Sequence, residues 1–172
     1  MTQKRLKGIV GKSGKKRFFV ETQSFLSTHY RSLDAKGRLI LPPEYRESLA
    51  ACAQEGIEAG FWLTGFYGRL VAYLPKNWEQ IMAQLCKIPF TNVQLSHFKS
   101  KVLGLASFIT FDGQGRVRIP QPLMREAGLV KDVILVGMAD KFEIWDQARF
   151  DSILTTEDMS EALASTGIAI PL

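Results

Sequence analysis

One sentence is written twice in this chain, and that duplication limits what it can fold into. Leu33–Pro42 reads LDAKGRLILP and Phe111–Pro120 reads FDGQGRVRIP. Both have the form apolar-Asp-x-x-Gly-Arg-apolar-x-apolar-Pro, with Asp and Arg four residues apart. The echo continues downstream. PPEYRESL (Pro42–Leu49) answers PQPLMREAGL (Pro120–Leu129), with Arg46-Glu47 set against Arg125-Glu126 after a one-residue insertion. FWLTGFYGRLVAYLPKNWEQI (Phe61–Ile81) answers VILVGMADKFEIWDQARFDSI (Val133–Ile153), keeping apolar positions while the letters change. Two copies of a unit, Phe25–Ile81 and Leu103–Ile153, predict a pseudo-twofold pair sharing one core. A solenoid would need three repeats or more.

Each unit reads as strand, turn, strand, short helix, two strands, helix, an α+β pattern. Gly37 and Gly115 stand where a tight turn needs positive φ. Leu39-Ile40-Leu41 and Val117-Arg118-Ile119 favour strands. The proline that follows each cannot donate to a ladder but suits the first turn of a helix. Phe61–Leu63 and Val133–Val136 read as apolar strands, and Gly68-Arg69 and Asp140-Lys141 as hairpin turns. Asn77–Lys87 and Asn92–Val102 read as amphipathic helices around Pro89. The expected organisation is an extension over 1–24, a first repeat over 25–81, a helical linker over 82–102, a second repeat over 103–153 and a tail over 154–172. That tail opens as a capped helix. Trp62, Trp78 and Trp145, with their neighbouring phenylalanines, read as core.

Charge is unevenly placed. Residues 1–24 carry seven Lys and Arg against one Glu, a net +6, whereas residues 25–172 carry fifteen against sixteen acidic residues. The body is therefore near neutral, and any anion recognition within it must be local. Residues 1–24 read as disordered unless bound. They are a cloning scar, a start codon placed too early, or a genuine basic arm, and the first two readings are preferred. No apolar run reaches the length of a membrane span, and no secretory signal pattern follows the basic start. Cys52 and Cys86 form neither a disulfide framework nor a metal knuckle. His29 and His97 lack metal-ligand spacing, and no nucleophile elbow, phosphate-binding loop or HExxH occurs. No cofactor or metal is expected. Asp34 and Asp112 could meet across the pseudo-twofold as paired carboxylates, but catalysis rarely needs the same acid presented twice and little else.

Asp34 and Arg38 flank one turn, and Asp112 and Arg116 the other. Spacing alone leaves two readings open. In one, each pair is a surface bridge that steadies its turn. In the other, each carboxylate holds a guanidinium ready for the O6/N7 edge of guanine, while Lys36, Arg31 and Arg118 stand near enough to hold phosphates or bases. Gln114 takes the place of Lys36 in the second turn. The duplication favours the second reading, because two matching turns suit a roughly symmetric double helix.

These stretches carry a resemblance. LDAKGRLILPPEYR, FDGQGRVRIP and REAGLVKDVILVGMADKFEIWD (Arg125–Asp146) resemble the MraZ family of bacterial regulators, related to the AbrB-like swapped-hairpin DNA binders. The likeness runs from Phe25 to about Ile153. It implies two pseudo-symmetric AbrB-like (double-split β-α-β) halves and a non-enzymatic, cytoplasmic, nucleoid-associated transcription factor. It further implies a ring-shaped homo-oligomer on double-stranded DNA, binding direct repeats at the promoter of the division and cell-wall gene cluster and usually repressing it. The family's DNA-contact positions map onto Arg38 and Arg116, with Asp34 and Asp112 as their motif partners. One departure is Ser27, where the family usually has Gly. The competing reading is a non-catalytic protein-interaction or assembly module of the same fold.

Overall fold

The computed structural model describes residues 25–53, 58–89, 91–153 and 165–167. The expectations for residues 1–24 and for a capped helix opening the C-terminal tail lie outside these residues. The first unit contains β1 (Thr28–Ser32), β2 (Arg38–Ile40), α1 (Pro43–Ala51), β3 (Gly60–Phe66), β4 (Arg69–Tyr73) and α2 (Pro75–Cys86). After α3 (Val93–Leu105) the second unit repeats the order as β5 (Ser107–Thr110), β6 (Arg116–Arg118), α4 (Gln121–Ala127), β7 (Asp132–Gly137), β8 (Lys141–Asp146) and α5 (Gln147–Ile153).

The halves exchange their first strands. A six-stranded antiparallel sheet runs β1-β7-β8-β4-β3-β5, and β2 pairs with β6 in a separate two-stranded ribbon. Each half's opening strand therefore lies at an edge of the shared sheet, and the two central strands β4 and β8 come one from each half. Registers are matched at the two ends: Ser32 pairs with Asp132 and Thr110 with Gly60. At the centre, Leu70 faces Ile144 and Ala72 faces Phe142. Strand β1 of the first half pairs with β7 of the second, and β5 of the second with β3 of the first. The fold is two AbrB-like halves interlocked through one sheet, so neither half has a complete sheet alone.

The ribbon and the two short helices cover one face of this sheet. Leu39, Leu41, Val117 and Ile119 from the motif strands join Phe61, Leu63, Phe142, Ile144, Tyr45 and Leu123 in one core, each at 2% exposure or less. Pro43 and Pro122 lie in the first turns of α1 and α4, where a missing N–H costs nothing. On the other face Trp62 and Phe66 of β3 pack with Trp78 of α2 and with Phe98 and Val102 of α3. Trp62 and Trp78 stack at 5.5 Å between centroids, and the buried Thr64 hydroxyl donates to the Val102 carbonyl at 2.6 Å, tying α3 to the sheet. Across the molecule, Asn77 of α2 donates to the Asp140 carbonyl and Arg149 of α5 to the Tyr67 carbonyl. Each repeat's last helix thereby pins the other repeat's hairpin.

Several local expectations move. The first hairpin turns on Tyr67-Gly68 (φ +54° and +72°), with Arg69 already in β4, because that pair of left-handed residues matches the twist of the strands. The second turn centres on Ala139, and Lys141 belongs to β8. Helix α2 starts earlier, on Pro75, and α3 is capped by the Asn92 side chain and runs on to Leu105. Ser27 adopts φ +70°. Its carbonyl accepts from the Gly137 N–H at 2.9 Å, and the chain lies so close that a Cβ on Gly137 would meet the Leu26 backbone. This is the position where the resemblance expects Gly, and the conformation is one that Gly enters more easily.

Candidate nucleic-acid interface

The two motif turns are built alike, bond for bond. In the first, the Gly37 N–H donates to the Asp34 carbonyl at 2.9 Å, and Gly37 takes φ +71°. Oδ1 of Asp34 accepts from the Lys36 and Arg38 N–H groups at 2.8 and 2.9 Å, while Oδ2 accepts from Arg38 Nε at 2.7 Å. In the second, Gly115 takes φ +76°. Oδ1 of Asp112 accepts from the Gln114 and Arg116 N–H groups at 2.9 and 3.0 Å, and Oδ2 from Arg116 Nε at 2.7 Å. An ionised carboxylate accepts all these bonds at once. The Arg38 N–H, above all, holds the Asp34 carboxyl below its usual range, and the Arg116 N–H does the same for Asp112. Each arginine uses Nε on its own turn. Its side chain stays more than a third exposed, leaving the terminal nitrogens available.

The turns meet through the ribbon. Arg38 pairs with Arg118, Leu39 with Val117, and Ile40 with Arg116. The Leu41 N–H donates to Gly115 O, and the Ile119 N–H to Gly37 O, both at 2.9 Å. Those bonds make Arg38–Arg118 and Ile40–Arg116 the non-hydrogen-bonded pairs, whose side chains approach most closely. Alternation sends Leu39 and Val117 into the core and places Arg38, Ile40, Arg116 and Arg118 together on the outward face. The turns stand at opposite ends of that one face.

The remaining predicted residues sit around it. Lys36 is exposed at the tip of the first turn. Arg31 does not join the outward face. Its Nε donates to the Ile40 carbonyl at 3.2 Å and NH1 to the Tyr30 carbonyl at 2.8 Å, so it braces the ribbon from β1. Asp34 and Asp112 lie in separate turns, each committed to its own arginine, and do not form a carboxylate pair.

Three further residues take places that the sequence does not show: Arg46, Met124 and Ile40. Arg46 and Met124 are structural equivalents, both four residues after the helix-capping prolines Pro42 and Pro120. Each backs the other half's turn: a Cβ on Gly37 would meet Met124 Sδ, and one on Gly115 would meet the Arg46 side chain. The match of Arg46 to Arg125 therefore gives way to Arg46 with Met124, with no insertion. Arg46 Nε is buried without a hydrogen-bond partner among the described residues. Ile40, half exposed among three arginines, is the third, and only the strand register reveals its place.

Among the described residues no His, Cys, Asp and Glu group has the makings of a metal site, and no helix is long and apolar enough to cross a membrane. The fold and site define a class: two swapped-hairpin halves that present a pair of Asp-clamped arginines on one shared ribbon. The chain belongs to the MraZ family. The family model, described as "MraZ protein, putative antitoxin-like", matches residues 24–100 and 102–168. A "Transcriptional regulator MraZ" of Oleidesulfovibrio alaskensis is 38% identical over 87% of this chain and 99% of its own length. A protein of the same name from Nitratidesulfovibrio vulgaris is 41% identical over 84% of this chain and 96% of its own. One from Acetivibrio thermocellus is 35% identical over 84% and 99%.

Proposed function

We propose that this protein is a sequence-specific DNA-binding regulator of transcription. It acts on the nucleoid, in the cytoplasm, as a ring-shaped homo-oligomer on promoter direct repeats, and represses the division and cell-wall gene cluster. One observation carries the DNA-binding part. Arg38 and Arg118 stand directly opposite on an exposed, non-hydrogen-bonded strand pair, with Arg116 on the same face. Like charges so placed repel and destabilise a sheet, and a polyanion lying on the ribbon removes that repulsion. A two-stranded ribbon fits the major groove, about 12 Å wide. In this reading Arg38 and Arg116 take guanine edges, Lys36 and Arg118 hold phosphates or bases, Arg31 supports the ribbon, and Asp34 and Asp112 aim their arginines. The relatives named as transcriptional regulators support the same reading.

A near-neutral body gives one subunit weak attraction, so useful affinity comes from several ribbons binding at once. Linkage of this kind raises avidity about 10²–10⁴-fold. The test is binding of full-length protein and of residues 25–172 to DNA carrying repeats one turn (~10 base pairs) apart, repeats shifted by a further half turn, and a single repeat. The proposal expects the phased DNA to bind far more tightly. Equal affinity for all three, lost on removing residues 1–24, would assign binding to the basic extension instead.

The assembly-module reading rests on a different observation. Among the described residues β1 and β5 are the edge strands of the sheet, and Tyr30 and Phe108 are exposed upon them. Such edges invite pairing with another chain. A sequence-dependent, salt-sensitive gel shift with DNA from upstream of the reading frame separates the two, because only the regulator predicts it.

A further inference from the structure

On the outward face of the ribbon the two halves differ. Position by position, Arg38 matches Arg116, but Ile40 matches Arg118. One end of the ribbon therefore pairs two cations, and the other pairs Arg116 with an aliphatic side chain. Ile40 is 52% exposed, while the core beneath is filled by Leu39 and Leu41. Core packing accordingly gives no reason for an isoleucine at this place. Its neighbour Leu41 is bonded across the ribbon to Gly115, and its own carbonyl accepts from Arg31 Nε, so the side chain projects from a fixed point.

We propose that Ile40 is a specificity-determining residue that packs on the C5-methyl of a thymine, beside the guanine taken by Arg116. The inference rests on the DNA-binding reading above. Side chains of a non-hydrogen-bonded pair stand about 5 Å apart at Cβ, and base pairs rise about 3.4 Å along the duplex, so the two residues address the same or adjacent base pairs. Ile has no hydrogen-bonding group to offer a base edge. The thymine methyl is the apolar group that a major groove presents, and aliphatic contact with it is how such a side chain reads sequence. The opposite end, with Arg38 and Arg118, has no such contact. Each subunit is thereby given a direction on the duplex despite its internal repeat, and the preferred site has no twofold symmetry.

The experiment selects bound duplexes from a randomised library with the full chain, once with thymidine and once with deoxyuridine, which lacks the methyl. Wild type, Ile40→Ser and Ile40→Val are compared, each with its melting temperature. Wild type is expected to enrich a thymine next to a guanine, by about four-fold per site, the value of burying one methyl-sized group. That preference should disappear in the deoxyuridine library and in Ile40→Ser, and persist in Ile40→Val, with the guanine positions unchanged throughout. A wild-type motif indifferent to the methyl, or an Ile40→Ser motif that keeps the thymine, would overturn the assignment. The deoxyuridine comparison uses wild type alone, so it decides the matter even if a variant folds poorly. Failure of wild type to enrich any motif would instead overturn the DNA-binding reading, and this inference with it.

Discussion

Replacing Gly115 by alanine tests how the turn positions its arginine. Gly115 sits at φ +76°, with its N–H on the Asp112 carbonyl and its own carbonyl receiving the Leu41 N–H. It cannot relax without giving up bonds at both ends. An L-residue held in the left-handed region costs about 1–2 kcal/mol. The new Cβ would also land on the Arg46 side chain, which is flexible enough to swing aside and adds less. For a chain of this size, 1 kcal/mol shifts the melting temperature by about 2–4 °C. Gly115→Ala should therefore melt roughly 2–8 °C below wild type. Gly113, two residues earlier, has open space where a Cβ would stand and no positive φ. Gly113→Ala should be neutral or slightly stabilising, and Gly115→Asn should fall between, since Asn tolerates this region. Because Arg116 follows directly, Gly115→Ala should also weaken binding to upstream DNA by one mis-aimed bidentate contact, about 1–3 kcal/mol. Thermal unfolding followed by circular dichroism, with a DNA titration on the same samples, reads both. Equal melting temperatures for Gly113→Ala and Gly115→Ala would refute the reasoning.

Ser27→Gly should stabilise the protein by about 1 kcal/mol, because it relieves the φ +70° conformation, and a melting curve checks it. Thr64→Val should cost about 1–2 kcal/mol in denaturant unfolding by leaving the buried Val102 carbonyl unpaired, with DNA binding unchanged. Asp34 and Asp112 are both held below the usual value of 3.8, so their stabilising effect is complete above pH 3.8 and is lost as pH falls through the lowered values. Melting temperature should therefore show no loss from this pair between about pH 7 and 5 and an acid limb below 3.8, and the limb should shrink in the Asp34→Asn/Asp112→Asn double variant.

Much of this fold was legible because duplication repeats the physical signals. Gly37 and Gly115 mark the same turn, the prolines mark the same helix starts, and the apolar strands Phe61–Leu63 and Val133–Val136 repeat one pattern. The local site was legible too, since Asp and Arg four apart across a tight turn must meet. What stayed hidden depends on pairing between distant strands. Nothing in the alternation of Thr28–Ser32 says that it lies on β7 rather than on its own half's β3, for either partner would bury the same face. The opposition of Arg38 and Arg118, and the place of Ile40, follow only from the register of β2 on β6. Letters also misled: the shared Arg-Glu pair drew Arg46 toward Arg125, whereas packing on the turns makes Met124 its counterpart.

The central claim is that the arginine-bearing ribbon reads DNA. The most direct measurement is the affinity of wild type and of the Arg38→Ala/Arg116→Ala double variant for the duplex upstream of the reading frame, against a scrambled duplex of equal length and composition at one fixed salt concentration. The account predicts that wild type prefers the upstream duplex, and that the double variant loses the preference while melting near the wild-type temperature, because both side chains lie outside the core. A double variant that keeps the wild-type preference would contradict it.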